Sequence, residues 1–193
     1  MKEIKKDELF SLRSMVFTAI FAALICIAAP FSVPLPGLVP ISLATFAIYL
    51  TGALLGGKRG MLAVLVYILI GAVGLPVFSG FAGGFAKLLG PTGGYIIGYI
   101  PLVFLTGIFA DMRVKFHWTT PVGMVLGTVA LYTFGTAWYM IYTKADIVTA
   151  LTGCVLPFIP GDSIKMVLVT VISVPLKHRL NAFLGKGAND REK

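Results

Sequence analysis

Asp162 and Lys165 are the residues of this sequence whose types and spacing most clearly suggest chemistry. They stand three positions apart in P-F-I-P-G-D-S-I-K-M-V-L-V, residues 157–169, at the predicted start of an apolar helix. A lysine near a helix N-terminus is disfavoured by about 0.3–1 kcal/mol, and an unpaired charge at membrane depth costs several kcal/mol more. Either the two side chains satisfy each other, or something else binds and satisfies them.

The elements that position this pair follow from an apolar composition. Of 193 residues, 58% are hydrophobic and 12% are charged, and the mean hydropathy is +0.93. These values are typical of a polytopic membrane protein. A membrane-spanning helix needs about 20 apolar residues, and continuous rather than alternating apolar runs indicate helices. We predict an all-α membrane protein of one domain, residues 1–193, with six transmembrane helices near residues 13–30, 41–56, 60–75, 93–111, 120–142 and 161–177.

The sixteen Lys and Arg residues indicate the orientation of these helices. Thirteen lie before the first helix, between the second and third, between the fourth and fifth, or after the sixth: Lys2, Lys5, Lys6, Arg13, Lys58, Arg59, Arg113, Lys115, Lys177, Arg179, Lys186, Arg191 and Lys193. By the positive-inside rule both termini, with tails at 1–12 and 178–193, are cytoplasmic. The net charge of +8 then reflects topology and contact with the lipid bilayer, and a nucleic-acid partner is not expected.

Two segments on the opposite, external side have the composition of covering loops. Residues 30–40 contain four prolines and no charge, so they form an apolar loop instead of a regular helix. Residues 74–91 are rich in glycine and phenylalanine and are broken by prolines, which predicts a re-entrant or capping loop. Both segments could fold over a site near Asp162 and Lys165.

Glycines and aromatic residues recur at helical spacing on the fourth and fifth helices. Gly94 and Gly98 lie four apart, as do Tyr95 and Tyr99. Such a face serves either close helix packing with interfacial tyrosines or a small-molecule pocket with an aromatic wall. Tyr132 and Trp138, with Gly135 between them, form a second aromatic face that interfacial anchoring explains only in part.

Ala19 and Ala23 form a strip of small residues on the first helix. The strip suits either packing inside the bundle or contact with an external partner helix.

Catalytic and metal-binding motifs are missing from the sequence. His117 and His178 have no second ligand at metal-binding spacing, and there is no nucleophile elbow and no H-E-x-x-H motif. We therefore expect neither an enzyme nor a metal site.

Several motifs together resemble those of one family. They are V-P-L-P at 33–36, V-P-I-S-L at 39–43, T-G-A-L-L-G at 51–56, G-A-V-G-L-P-V-F at 71–78, G-P-T-G-G-Y-I-I-G-Y at 90–99, Y-x-x-G-x-x-W at 132–138 and P-F-I-P-G-D-S-I-K at 157–165. The chain resembles BioY, the biotin-binding S component of energy-coupling factor (ECF) vitamin transporters. The likeness runs through nearly the whole sequence.

This resemblance implies a protein of the bacterial plasma membrane that captures biotin from outside and has no ATPase of its own. Uptake then requires a transmembrane scaffold subunit, which Ala19 and Ala23 contact, and two cytoplasmic ATPases. Biotin is the transported ligand, and no cofactor is expected. The implied substrate-binding residues are Asp162, Lys165, Tyr95, Tyr99, Gly94, Trp138, Tyr132 and Lys87.

Two residues depart from the family pattern. Ala44 stands where a glutamine is expected, and Lys87 adds a charge to the covering loop. Two other functions stay open at this point. One is an S component for a different vitamin, and the other is a self-sufficient small carrier or channel in which Asp162 and Lys165 form a gating or proton-coupled pair.

Overall fold

A computed structural model describes residues 11–33, 39–112 and 116–183 of the chain. The middle of the proline-rich loop and most of the predicted terminal tails lie outside these residues. Within them the chain is mostly helical, as predicted, with six long helices, two short helices and one small β-hairpin.

The helices follow one another in an up-and-down bundle. They are α1 (Leu12–Ala28), α2 (Ala44–Leu55), α3 (Gly57–Val73), α4 (Phe85–Leu89), α5 (Gly93–Asp111), α6 (Phe116–Thr143), α7 (Ile147–Cys154) and α8 (Phe158–Phe183). Strands β1 (Ser32–Val33) and β2 (Ile41–Ser42) pair in antiparallel fashion between α1 and α2. Each predicted helix overlaps one long helix, whereas α4, α7 and the hairpin were not predicted.

Several helix boundaries differ from the predicted ones for local reasons. Helix α2 begins at Ala44 instead of residue 41, because residues 41 and 42 pair with β1 and the Ser42 hydroxyl accepts the Ala44 N–H. Helix α8 begins at Phe158 instead of residue 161. Pro160 lies in its first turn, where backbone N–H groups have no acceptor within the helix. A proline at this position therefore removes no helical hydrogen bond.

The start of α6 and the end of α8 also differ from the predictions. Helix α6 begins four residues before the predicted position 120, and α8 continues past residue 177 to Phe183. Pro121 and Pro175 therefore lie inside helices, which membrane proteins tolerate because neighbouring groups can satisfy the freed carbonyl.

The long helices differ in their capacity to cross a membrane. Three of them are long and apolar enough by length and composition: Gly93–Asp111, Trp118–Thr143 and Phe158–Lys177. Helices α1 and α3 have 17 residues each and α2 has 12, fewer than the about 20 that a hydrocarbon layer of about 30 Å requires. The three long apolar helices support a membrane protein. Helix length alone supports three of the six predicted membrane crossings.

Glycines let α5 and α6 approach closely. A Cβ on Gly98 would lie 2.9 Å from the Leu131 side chain, and one on Gly127 would lie 2.8 Å from the Leu102 carbonyl oxygen. Each glycine on one helix thus receives a side chain or backbone segment of the other. Small residues serve this purpose where lipid provides no hydrophobic force between helices.

Contacts among α3, α5 and α8 close one end of the bundle. Gly56 ends α2 with a φ of 83°, which favours glycine. The next N–H, that of Gly57, donates to Asp111 Oδ2 at 3.2 Å, so a carboxylate from α5 caps the start of α3. Lys177 Nζ lies 3.9 Å from Asp111 Oδ1 and adds α8 to this contact.

The covering loop after α3 closes the other end. Phe78 is fully buried, and its ring occupies the space where Gly71 would carry a Cβ. The Tyr67 and Phe78 rings pack edge to face with centroids 5.6 Å apart. Because the Gly84 N–H also donates to the Gly71 carbonyl at 2.7 Å, both arms of the loop are fixed to the end of α3.

The short helix α7 connects α6 to α8 at the same end. Asp146 caps it by accepting hydrogen bonds from the Thr149 hydroxyl and the Val148 and Thr149 N–H groups. These bonds, the Thr149 hydroxyl first, hold the pKa of the Asp146 carboxyl below its usual value. The residues of α7 that face the bundle are Ala150, Gly153 and Cys154, all buried.

Candidate functional site

Asp162 and Lys165 form a buried ion pair at the loop-covered end of the bundle. Lys165 Nζ lies 3.0 Å from Asp162 Oδ1, and the two residues are only 9% and 2% exposed. Because they are three positions apart on α8, both side chains project from one helix face. The pair resolves the electrostatic problem that the sequence poses, since each charge compensates the other.

Two residues at the start of α2 complete the cluster. Lys165 Nζ donates to the main-chain oxygen of Ser42 at 2.8 Å and to the Thr45 hydroxyl at 2.9 Å. The Thr45 hydroxyl in turn donates to Asp162 Oδ1 at 2.9 Å. All three N–H donors of the ammonium group therefore have acceptors, one each on Ser42, Thr45 and Asp162.

Tyr132 of α6 holds the second carboxylate oxygen. Its hydroxyl donates to Asp162 Oδ2 at 2.8 Å. The carboxylate thus accepts three hydrogen bonds from three different helices, α2, α6 and α8. We call Ser42, Thr45, Tyr132, Asp162 and Lys165 the polar cluster.

A small cavity adjoins the polar cluster beneath the covering loops. It has a volume of about 30 Å³, enough for one or two water molecules. Ser42 belongs to both cavity and cluster. The lining residues are Val39, Pro40, Ser42, Ala44, Tyr67, Ser79, Lys87, Thr92, Tyr95, Ile96 and Tyr99. A small organic molecule can enter only if loops or side chains move.

Three predicted site residues, Lys87, Tyr95 and Tyr99, line this cavity. Tyr99 is buried, with its ring centroid 6.5 Å from that of Tyr67. Lys87 comes from the short helix α4 and is half-buried. The cavity therefore offers aromatic surfaces and one cation, in addition to the adjoining polar cluster.

Tyr95 is held in place by α6 and α7. A Cβ on Gly135 would lie 2.4 Å from the Tyr95 ring, so only a glycine leaves room for it. The Tyr95 hydroxyl donates to the Cys154 carbonyl at 3.0 Å and lies 3.1 Å from the Thr136 hydroxyl. Since its single proton points to Cys154, the Thr136 hydroxyl is the donor in the second bond.

Gly94 and Trp138 contact each other at the interface between α5 and α6, and neither lines the cavity. A Cβ on Gly94 would lie 2.2 Å from Cβ of Trp138. Trp138 Nε1 donates to the Gly90 carbonyl at 3.0 Å. Of the two interpretations that the spacing allowed, the structure therefore favours helix packing for this pair, with Trp138 also fixing the loop before α5.

Ala19 and Ala23 lie on the outer face of α1. Both are exposed, whereas Phe21, Ala22 and Ile25 face the bundle. Packing inside the bundle therefore does not explain the strip of small residues.

Ser42, Thr45 and Tyr67 were not predicted as site residues, because little in the sequence marks them. Hydroxyl groups are frequent in membrane helices, where Ser and Thr often bond only to their own helix, as Thr51 bonds to the Ala47 carbonyl. The available signal was position, because Ser42 and Thr45 flank the boundary between a proline-rich loop and a helix. Ala44, the departure from the expected glutamine, lines the cavity and contributes no polar group to it.

Comparison with known proteins identifies the family. The profile of the BioY family matches residues 2–182. The chain belongs to the BioY family. The Thermotoga maritima biotin transporter BioY is 40% identical over 166 residues, which cover 86% of this chain and 96% of that protein. The Rhodobacter capsulatus biotin transporter BioY is 34% identical over 189 residues, covering 91% and 99%.

A solved structure has a similar architecture. The crystal structure of the S component for biotin from an ECF-type ABC transporter superimposes with a TM-score of 0.78 at 32% sequence identity. The match covers 85% of this chain and 90% of that chain. This member of the BioY family is thus a transporter subunit with a fold similar to that of the S component, and not an enzyme. Among the residues that the structure describes, no group of three His, Cys, Asp or Glu side chains could hold a metal ion.

Proposed function

We propose that this BioY-family chain captures biotin at the external face of the membrane and delivers it as the S component of an ECF transporter. The observation that carries the proposal is the buried Asp162–Lys165 pair beside a cavity lined by Tyr95 and Tyr99. A buried ion pair in a membrane bundle is a functional site by default, because such charges are costly to keep there. Membership of a family of biotin transporters supports biotin as the ligand.

The chemistry of the cluster suits biotin. The ligand has a ureido group with two N–H donors and one carbonyl, a sulfur ring and a valerate carboxylate. Asp162 is an acceptor for N–H groups, and Lys165 is a donor to either the carbonyl or the carboxylate. Tyr99 and Tyr95 supply apolar surfaces for the rings, and Lys87 adds a second cation at the cavity.

Contacts between helix ends support six crossings with both termini in the cytoplasm. The start of α3 and the end of α5 meet at Gly57 and Asp111. The start of α2 meets the start of α8 at the opposite end, through Ser42 and Lys165. This alternation is what six antiparallel helices α1, α2, α3, α5, α6 and α8 produce. Their short members are accommodated by local thinning of the bilayer or by flanking protein.

The likeness to the S component of an ECF-type ABC transporter supports transport through partner subunits. We propose a transmembrane ECF scaffold subunit and two cytoplasmic ATPases in the bacterial plasma membrane. The outward orientation of Ala19 and Ala23 supports the first helix as the docking surface for the scaffold, because small residues allow close approach of a second helix.

Mass spectrometry of small molecules released from the purified protein tests the ligand, followed by isothermal titration of the stripped protein. We expect biotin, bound at one site per chain. Recovery of another vitamin, with no heat change on biotin addition, would replace biotin by that vitamin.

Reconstitution tests the dependence on partners. Liposomes that contain this chain alone should bind biotin without accumulating it, and accumulation should need the ECF subunits and ATP. Net uptake by the chain alone would favour a self-sufficient carrier instead.

A further inference from the structure

The loops that cover the site carry a cluster of exposed apolar side chains, which we call the apolar crown. Each of its members is more than half exposed. They are Phe31 at 54%, Val33 at 64%, Leu75 at 51%, Phe81 at 60%, Phe85 at 63% and Leu89 at 55%. Contiguous exposed apolar surfaces of this kind mark contact with an apolar partner.

Two members of the crown, Phe31 and Phe81, join the two separate loops. The Phe31 and Phe81 rings pack edge to face with centroids 5.5 Å apart. The Gly80 N–H donates to the Pro30 carbonyl at 3.0 Å. Phe81 has a φ of 55°, a backbone conformation that is strained for a bulky residue. The chain therefore adopts an unfavourable backbone geometry at the position that presents an exposed phenylalanine.

The sequence around the crown is unsuited to water. Residues 60–86 contain no Asp, Glu, Lys or Arg. The charge that follows, Lys87, is half-buried and lines the cavity. An aqueous loop ordinarily carries exposed polar side chains, whereas Ser79 is the one hydroxyl between Gly74 and Gly84 and its oxygen is buried.

The backbone of the covering loop is largely satisfied from within the protein. Of the ten N–H groups between residues 74 and 84, where Pro76 has none, seven donate to main-chain carbonyls; they belong to Gly74, Leu75, Val77, Phe78, Gly80, Ala82 and Gly84. Irregular backbone enters an apolar environment only when its polar groups are paired in this way. The loop meets most of that requirement.

The crown continues the apolar outer surface of α3. On that helix Leu69 is 64% exposed and Val73, its last residue, is 83% exposed. Leu75 follows two residues later. The lipid-facing surface of the bundle thus extends without a polar boundary onto the loops.

The geometry points to lipid as the partner of the crown: Phe31, Phe81 and Phe85 are immersed in the interfacial region of the outer leaflet, and the loops that cover the site lie against lipid. Aromatic side chains favour this region of a bilayer. The inference rests on the external placement of the loops in the proposed function.

Spin-label accessibility in liposomes tests the immersion. The full chain with Cys26→Ala and Cys154→Ala receives one new cysteine, Phe81→Cys or Phe85→Cys, and is labelled and reconstituted into phosphatidylcholine–phosphatidylglycerol vesicles. Collision rates are measured with oxygen, which concentrates in lipid, and with a water-soluble nickel chelate. Two references on α3 calibrate the scale: exposed Leu69→Cys for lipid and exposed Lys58→Cys for water.

We expect an oxygen-to-nickel ratio at both crown positions several-fold above that of Lys58→Cys and close to that of Leu69→Cys. A ratio equal to that of Lys58→Cys would place the crown in water and overturn the inference. Low collision rates with both reagents would place it against protein, and would overturn the inference equally.

Biotin titration of the same labelled variants separates the two proposals. If the cysteine-free parent binds biotin and the crown is accessible to nickel, only the lipid immersion fails. If the unsubstituted chain binds no biotin, the proposed function fails, whatever the position of the crown.

Discussion

Lys165 Nζ lies 2.8 Å from the main-chain oxygen of Ser42, 123 positions earlier in the chain. This hydrogen bond joins the start of α8 to the end of the β-hairpin, directly before α2. The Ser42 hydroxyl also donates to the Ala29 carbonyl at 2.8 Å, at the end of α1. The charge in the proposed site is therefore coupled to the loop region that any ligand has to pass.

Replacing the carboxylate should abolish tight binding. We expect Asp162→Asn to weaken biotin affinity by roughly 10–100-fold, since hydrogen bonds to charged groups contribute about 1.5–3 kcal/mol. It also leaves the Lys165 ammonium group without its counter-charge. Isothermal titration measures the change. Asp146→Asn, at the exposed carboxylate that caps the start of α7, is the matched control and should bind normally, since asparagine is also a good capping residue. Unchanged affinity in Asp162→Asn would remove the polar cluster as the site.

The Thr45 hydroxyl should contribute to both stability and binding. Thr45→Val keeps the shape of the side chain and removes two hydrogen bonds of the cluster, each of them to a charged group and contributing about 1.5–3 kcal/mol. We expect a lower melting temperature in detergent and a several-fold weaker affinity for biotin. Thr51→Val is the control on the same helix, because Thr51 is also buried but bonds only within α2. Equal effects of the two substitutions would mean that Thr45 matters only as a buried hydroxyl.

Gly135 should not tolerate a methyl group. Gly135→Ala places a Cβ 2.4 Å from the Tyr95 ring, and overpacking of this kind costs about 1–3 kcal/mol. We expect a lower melting temperature and weaker biotin binding, because Tyr95 is displaced from the cavity wall. Gly161→Ala is the control, since nothing lies within 4 Å of its added Cβ. A stable Gly135→Ala variant with normal affinity would show that the Tyr95 position is not constrained as the structure indicates.

Bulky residues on the outer face of α1 should separate binding from transport. Ala19→Trp and Ala23→Trp are expected to bind biotin normally. When the ECF subunits are co-expressed, both variants should reduce biotin uptake at least about tenfold, which corresponds to a loss of about 1.4 kcal/mol in the free energy of docking. Val167→Trp, at an exposed position on α8, controls for a bulky residue at the lipid surface. Loss of biotin binding in the alanine variants would instead indicate a role in the fold of the bundle.

The six long helices could be predicted because continuous apolar runs determine them, whereas their orientation, inferred from the charge distribution, stays a prediction. The hairpin and helices α4 and α7 could not, since segments of two to eight residues depend on contacts with distant parts of the chain. Ser42 pairs with Ser32, for example, and no local pattern indicates that pairing.

Only part of the candidate site could be predicted from the sequence. Asp162 and Lys165 are conspicuous because charges are rare in apolar helices, and their partner Tyr132 belonged to a recognisable aromatic face. Thr45 has the same residue type as many threonines that bond only to their own helix. The spacing of the glycines predicted that Gly94 leaves open space on one helix face. It did not indicate whether a ligand or, as in the structure, the Trp138 side chain occupies that space.

The fully bonded ammonium group of Lys165 has a consequence for selectivity among vitamins. The three N–H donors of the ammonium group and the oxygens of the Asp162 carboxylate already have hydrogen-bond partners within the protein. A ligand that binds at the proposed site and breaks any of these hydrogen bonds must therefore form an equivalent one. A near-analogue that lacks one matching group leaves a buried charge incompletely bonded, and that penalty is far larger than the loss of one surface contact. In the proposed site, discrimination between vitamins thus depends mainly on the hydrogen bonds to Asp162 and Lys165 that the wrong molecule breaks and does not replace.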